Sequence, residues 1–197
     1  MRLKDKVAII TGGSRGIGFA TADAFLREGA KVAVAASSEK NAEAAVEKLK
    51  AIHPDAEVVG ISPNLGSFES VKEEFDKVEK QFGRIDILVN NAGVSESTPF
   101  TSYTEADFDR VIDLNVKGVF NATRAVVDGM IKNHSGVVLN TSSMVSISGQ
   151  PSGFAYPASK FAVNGTTVSL ARELGPKGIR VNAAAVSYTH LRAHETL

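Results

Sequence analysis

Short apolar runs alternate along this chain with longer segments in which apolar residues recur every three or four positions. The short runs predict strands over 6–11, 31–35, 56–61, 85–90, 136–141 and 179–184. The longer segments predict helices over 17–28, 40–51, 67–82, 105–133 and 158–174. VAII, ILV and VVL show no polar alternation, as expected of strands in a parallel sheet covered by helices on both faces. Within 40–51, Glu43, Glu47, Lys48 and Lys50 punctuate Ala44, Ala45, Val46 and Leu49. The charges then face water and the small apolar groups face the sheet. With right-handed crossovers, this order folds most simply as one α/β domain built on a doubly wound parallel sheet.

Composition narrows the field. At 197 residues and 43% hydrophobic content, the chain is long enough for one sizeable core. Lys and Arg number 22, as do Asp and Glu, so no basic field draws nucleic acid or an anionic membrane. There is no cysteine, which removes disulfides, thiolate metal sites and cysteine nucleophiles. Val7 to Ile10 is too short for a signal peptide, and no stretch approaches the roughly 18 apolar residues of a membrane span. The expected compartment is the cytoplasm. His53, His134, His190 and His194 show no ligand spacing, so no metal is expected.

Chemistry enters at the loops. The first strand runs into TGGSRGIG, 11–18, a glycine-rich turn that opens a helix. Such a turn lets the backbone approach a pyrophosphate, and the helix start offers free N–H groups to the anion. NNAG follows the fourth strand at 90–93, Asn115 stands in DLNVKG, and YPASK at 156–160 follows the serine pair Ser142 and Ser143. In this order and spacing, the motifs of 3–184 resemble those of the short-chain dehydrogenase/reductase family.

That resemblance implies a Rossmann-type sheet, a nicotinamide dinucleotide and hydride transfer between it and a carbonyl or alcohol. It assigns cofactor contacts to Gly12, Ser14, Arg15, Gly16, Ile17 and Gly18 in the turn. Further contacts fall to Ser37, Ser38, Asn64, Leu65, Asn91, Ala92 and Gly93, and to Tyr156 and Lys160. NADP is favoured over NAD because no acid follows the second strand, where Ala36, Ser37 and Ser38 stand, and Arg15 supplies a cation for a 2′-phosphate. The alternative places Arg15 in solvent and the serines as a helix cap ahead of Glu39. One departure lies after the third strand. The family's adenine-contacting aspartate is replaced by Asn64, whose carbonyl oxygen still accepts a hydrogen bond.

At the reacting end the resemblance makes Tyr156 the general acid and base. A free phenol titrates at about 10, and the Lys160 ammonium, one helical turn away, lowers that value. Pro157 between them places the helix start no earlier than about Phe154. Ser143 would bind the substrate oxygen, with Ser142 as the weaker candidate, and Asn115 would hold a water that extends a proton relay. Asparagine inside a helix otherwise marks an exposed or kinked position.

The likeness ends after Asn182. Val186 and Ser187 stand where the family has Pro-Gly, and 185–197 lacks both strand alternation and an apolar helix face. A catalytic domain over 1–184 and a foreign tail over 185–197 are expected, with the sheet lacking its last strand. The 179–184 strand would then be an apolar edge prone to self-association. Helices 105–133 and 158–174 are the expected assembly surfaces of a homo-oligomer, by family habit a tetramer. The leading reading is an NADPH-dependent carbonyl reductase, with a 3-oxoacyl thioester on acyl carrier protein as first substrate. The alternatives are an NAD-dependent alcohol, sugar or sterol dehydrogenase, and a nucleotide-binding protein without catalysis.

Overall fold

A computed structural model describes residues 1–187. Six parallel strands form one sheet: β1 (Val7–Thr11), β2 (Lys31–Ala35), β3 (Val58–Ile61), β4 (Ile87–Asn90), β5 (Gly136–Ser143) and β6 (Ile179–Val186). Their order is β3-β2-β1-β4-β5-β6, the doubly wound arrangement expected from the alternating pattern. Strands β1 and β2 pair in register from Val7 and Lys31 to Thr11 and Ala35, and β1 meets β4 through Ala8, Ile9 and Ile10.

Among the described residues seven α-helices accompany the sheet: α1 (Gly16–Arg27), α2 (Glu39–Ile52), α3 (Phe68–Phe82), α4 (Glu105–Ile112), α5 (Gly118–Lys132), α6 (Val145–Ser148) and α7 (Ala155–Leu174). One core packs Ala22 and Leu26 of α1 and Ala45 and Leu49 of α2 onto Ala8, Ile10, Val32 and Val34. The other packs Val71, Phe75 and Val78 of α3, Ala122, Val126 and Met130 of α5 and Leu174 of α7 onto Ile9, Leu88 and Val138. Alternate residues of one strand thus enter opposite cores, which is why the strands are apolar throughout. Ser38, Ser67 and Thr104 cap α2, α3 and α4, each with an acid in the first turn that complements the helix dipole. Among the described residues, no helix is long and apolar enough to cross a membrane.

Three of the boundaries that differ from the sequence expectation have clear physical reasons. The helix expected over 105–133 is interrupted by a π-helical turn at Asp113–Lys117, where Asn115 is drawn inward to 1% exposure. The exposed position anticipated for an asparagine in a helix is therefore not found; the irregular one is. Helix α7 starts at Ala155, three residues before the expected 158, because Pro157 is tolerated in a first turn. Strand β6 continues past the expected end at Ala184, since Ala185 and Val186 pair with Ser142 and Ser143. Ala185 and Val186, expected to open a foreign tail, thus belong to the sheet; 188–197, with His190 and His194, lie outside the described residues.

Candidate active site

The strand order reverses direction between β1 and β4, and loops leaving their carboxyl ends diverge there to leave a crevice. A cleft of about 1500 Å³ opens over this edge, running from α2 past the glycine turn to the start of α7.

Thr11, the last residue of β1, fixes the crevice floor. Its hydroxyl accepts hydrogen bonds from the N–H groups of Asn91 and Ala92, both at 3.0 Å. Asn91 Nδ2 donates back to the carbonyls of Thr11 at 3.1 Å and Gly12 at 3.2 Å. The glycine turn and the loop after β4 are thereby locked together. Gly12 has φ +64°, and a Cβ there would lie 2.9 Å from Ala92 Cα. Gly16 also adopts positive φ, while a Cβ on Gly18 would overlap the Gly12 carbonyl oxygen. These glycines therefore serve backbone reversal and close approach rather than flexibility.

Helix α1 begins with no side-chain cap and no acid in its first turn, unlike α2, α3 and α4. Its leading N–H groups are left to a ligand, and Gly12, Ser14, Arg15, Gly16 and Ile17 line the cleft beside them. This cradle fits a dinucleotide pyrophosphate, with no Cβ in the way and uncompensated N–H donors at hand. Gly18 lies beneath the turn.

Toward α2, the cleft is lined by Arg15, Ala36, Ser37, Asn41 and Lys48, with Asn64 and Leu65 on the side of β3. Ser38 is turned away: its hydroxyl accepts from Asn41 N–H and caps α2. Lys48, placed on the water face by its sequence spacing, also borders the cleft. Asn64 Oδ1 already accepts from Gly66 N–H at 3.0 Å, and Asn121 Nδ2 holds the Leu65 carbonyl at 2.8 Å.

Ser143, Tyr156 and Lys160 line the same cleft, as do Ala92 and Gly93. Lys160 is 6% exposed. Its Nζ donates to the Thr141 carbonyl at 2.7 Å and lies 5.7 Å from the centroid of the Tyr156 ring. Burial pushes this ammonium down to about 8. Ser143 Oγ accepts only a long 3.4 Å bond from Val145 N–H. Ser142 lines the cleft as well, but its Oγ donates to Asn164 Oδ1 at 2.7 Å, so Ser143 carries the less engaged of the two hydroxyls.

Asn115 does not line the cleft. Its Oδ1 accepts from Val94 N–H at 2.9 Å, and its Nδ2 donates to the Val94 carbonyl at 2.8 Å and Ser159 Oγ at 3.0 Å. Ser159 in turn donates to the Tyr156 carbonyl at 2.7 Å. Below it, Asn90 Nδ2 donates to Thr123 and Asn140, and Asn140 Nδ2 donates to Thr167. This buried network ties β4, β5, α5 and α7 together. Thr11, Asn121, Asn140 and Ser159 were not singled out in the sequence; polar residues at apolar strand ends are the signal that marks Thr11 and Asn140. Among the described residues, no group of three or more His, Asp or Glu is gathered as a metal site would require.

A doubly wound sheet with a glycine cradle at its switch point and a lysine-backed tyrosine beside it defines a nicotinamide-dependent oxidoreductase. The chain belongs to the short-chain dehydrogenase/reductase family: the family described as short chain dehydrogenase matches residues 6–196. It is 52% identical over 189 residues to a 3alpha-hydroxysteroid dehydrogenase of Mediterraneibacter gnavus, covering 96% of this chain and 76% of that one. It is 40% identical over 197 residues to a 3-oxoacyl-acyl-carrier-protein reductase of Thermotoga maritima, covering 100% of this chain and 79% of the relative. Among solved structures, an NAD+-bound xylitol dehydrogenase superimposes with a TM-score of 0.91 at 34% identity, covering 95% of this chain and 72% of the other. A levodione reductase gives 0.90 at 38%, covering 93% and 72%.

Proposed function

We propose that this chain interconverts a ketone and a secondary alcohol with NADP(H), using Tyr156 as the acid and base. The observation that carries the reading is the buried Lys160 ammonium, pinned by the Thr141 carbonyl beside the Tyr156 ring, at the end of a cleft whose other half is a phosphate cradle. When bound, the nicotinamide supplies or accepts the hydride. Tyr156 gives its phenolic proton to the carbonyl oxygen in reduction and takes it back in oxidation. An adjacent cation favours the phenolate formed in that exchange, and Ser143 donates to the same substrate oxygen. Asn115, with its amide engaged, keeps Val94 and the first turn of α7 in place. Reduction of a ketone panel by the parent chain and by Tyr156→Phe, with cofactor binding measured for both, tests this. Loss of turnover with intact binding is expected, and equal rates would overturn it.

NADP is supported by Arg15 and the absence of an acid at the end of β2, where the exposed Ser37 lines the cleft. The NAD+-bound xylitol dehydrogenase favours the other cofactor. For the substrate, the 52% identical relative supports a hydroxysteroid or its ketone, and the 40% identical relative supports a 3-oxoacyl thioester. Initial rates on a 3-oxosteroid and on an acetoacetyl thioester separate the two.

We also infer a homo-oligomer assembled through α5 and α7, where Phe120, Phe161 and Val168 are 60%, 52% and 60% exposed.

A further inference from the structure

Two segments outside regular structure wall the substrate side of the cleft: 94–97 after β4, and 149–152 after α6. They are far apart in sequence and are sewn together in space. Gly153 N–H donates to the Thr98 carbonyl at 3.0 Å. Gln150 Nε2 donates to the Glu96 carbonyl at 3.1 Å and to the Gly153 carbonyl at 2.9 Å. Thr98 N–H closes the seam onto Glu96 Oε2 at 3.0 Å.

The seam leaves no slack. Gly153 has φ +83°, and a Cβ there would overlap both the Glu96 carbonyl oxygen and the Gln150 amide. Its neighbour Phe154, half exposed, meets three rings, edge-on to Phe100 and Tyr103 at 5.5 and 6.4 Å and stacked on Phe108 at 6.1 Å. Ala155 then opens α7, and Tyr156 follows at once. Where the seam holds 153 and 154 decides where the Tyr156 phenol is presented.

We infer that Gln150 is a positioning residue for Tyr156, acting through the seam between the two cleft-wall segments. The inference rests on the functional reading above. An amide suits the task because its nitrogen carries two hydrogens, one for each carbonyl. Leucine offers none, and glutamate would set acceptor against acceptor. Lysine keeps the donors.

The test labels the chain with 3-fluorotyrosine and compares the parent with Gln150→Leu, Gln150→Lys and Tyr156→Phe. The fluorine resonance missing from Tyr156→Phe assigns the site. In Gln150→Leu that resonance shifts or broadens, kcat for ketone reduction falls about 10- to 100-fold, and the NADPH dissociation constant stays within about twofold. In Gln150→Lys the resonance and kcat return toward the parent. A Gln150→Leu variant with the parental Tyr156 resonance overturns the inference, as does a Gln150→Lys variant no better than Gln150→Leu. Parental turnover by Tyr156→Phe would instead sink the acid role of Tyr156, and the resonance comparison would still decide what Gln150 does.

Discussion

Lys160 shows how one burial decision governs a site. The side chain is taken out of water with the Thr141 carbonyl as its hydrogen-bond partner, so the charged form is disfavoured and its pKa is pushed down to about 8. Ketone reduction, which uses the ammonium, is therefore expected to be level below pH 8 and to fall as pH rises through it, as initial rates across pH 6–10 at saturating NADPH would report. Stability moves the other way. Between about 8 and the unfolded value of 10.5, the unfolded chain holds the extra proton, so unfolding free energy rises with pH across that window. Urea denaturation of the parent relative to Lys160→Met should show a gain on the order of 3 kcal/mol, complete above 10.5 and lost as pH falls through 8. Arg15 gives a second residue-scale expectation. Arg15→Ala should weaken NADPH binding about tenfold and leave NADH within about twofold, as fluorescence titration reads. Tyr156, Lys160 and the glycines were legible because each does its work within a few residues of sequence. Thr11, Asn140 and Gln150 were not, because their partners lie up to 81 residues away and a lone threonine or glutamine carries no periodic mark.

Elements succeed or fail on their contacts with the glycine turn. Helix α1 lies close to the turn because Gly18 has no side chain to meet the Gly12 carbonyl oxygen. Gly18→Ala forces the helix outward, at a cost of about 1–3 kcal/mol by the usual penalty for overpacking. Thermal melting should show the loss, together with weaker cofactor binding since the cradle moves as well. Strand positions were readable from the apolar runs, and the start of α2 from the serines ahead of Glu39. Of the π-helical turn at Asp113–Lys117, the sequence marked only a kink at Asn115. DLNVK is ordinary helical sequence, and the irregularity comes from Asn115 reaching across to Val94 and Ser159. The last residues of β6 escaped for a similar reason. Ala185 and Val186 lie past the point where the likeness ends, and their strand conformation comes from pairing with Ser142 and Ser143 of β5.

For the molecule as a whole, α5 and α7 present apolar side chains to solvent on either side of a groove lined by Phe120, Val127, Ile131 and Leu170. Replacing Phe120 and Val168 together by aspartate should reduce the mass seen by light scattering to that of one chain, with the fold retained by circular dichroism. Parallel winding also sorts the two ends of the described chain. Arg2 is held by Glu28 at the far end of α1, below the strand starts, through bonds of 2.7 to 3.1 Å. Val186 lies alongside Ser143, accepts a bond from Met144 N–H at 3.1 Å and, with Ser187, forms part of the cleft wall. An affinity handle or surface anchor on Met1 therefore hangs from the pole opposite the cleft and leaves its mouth open.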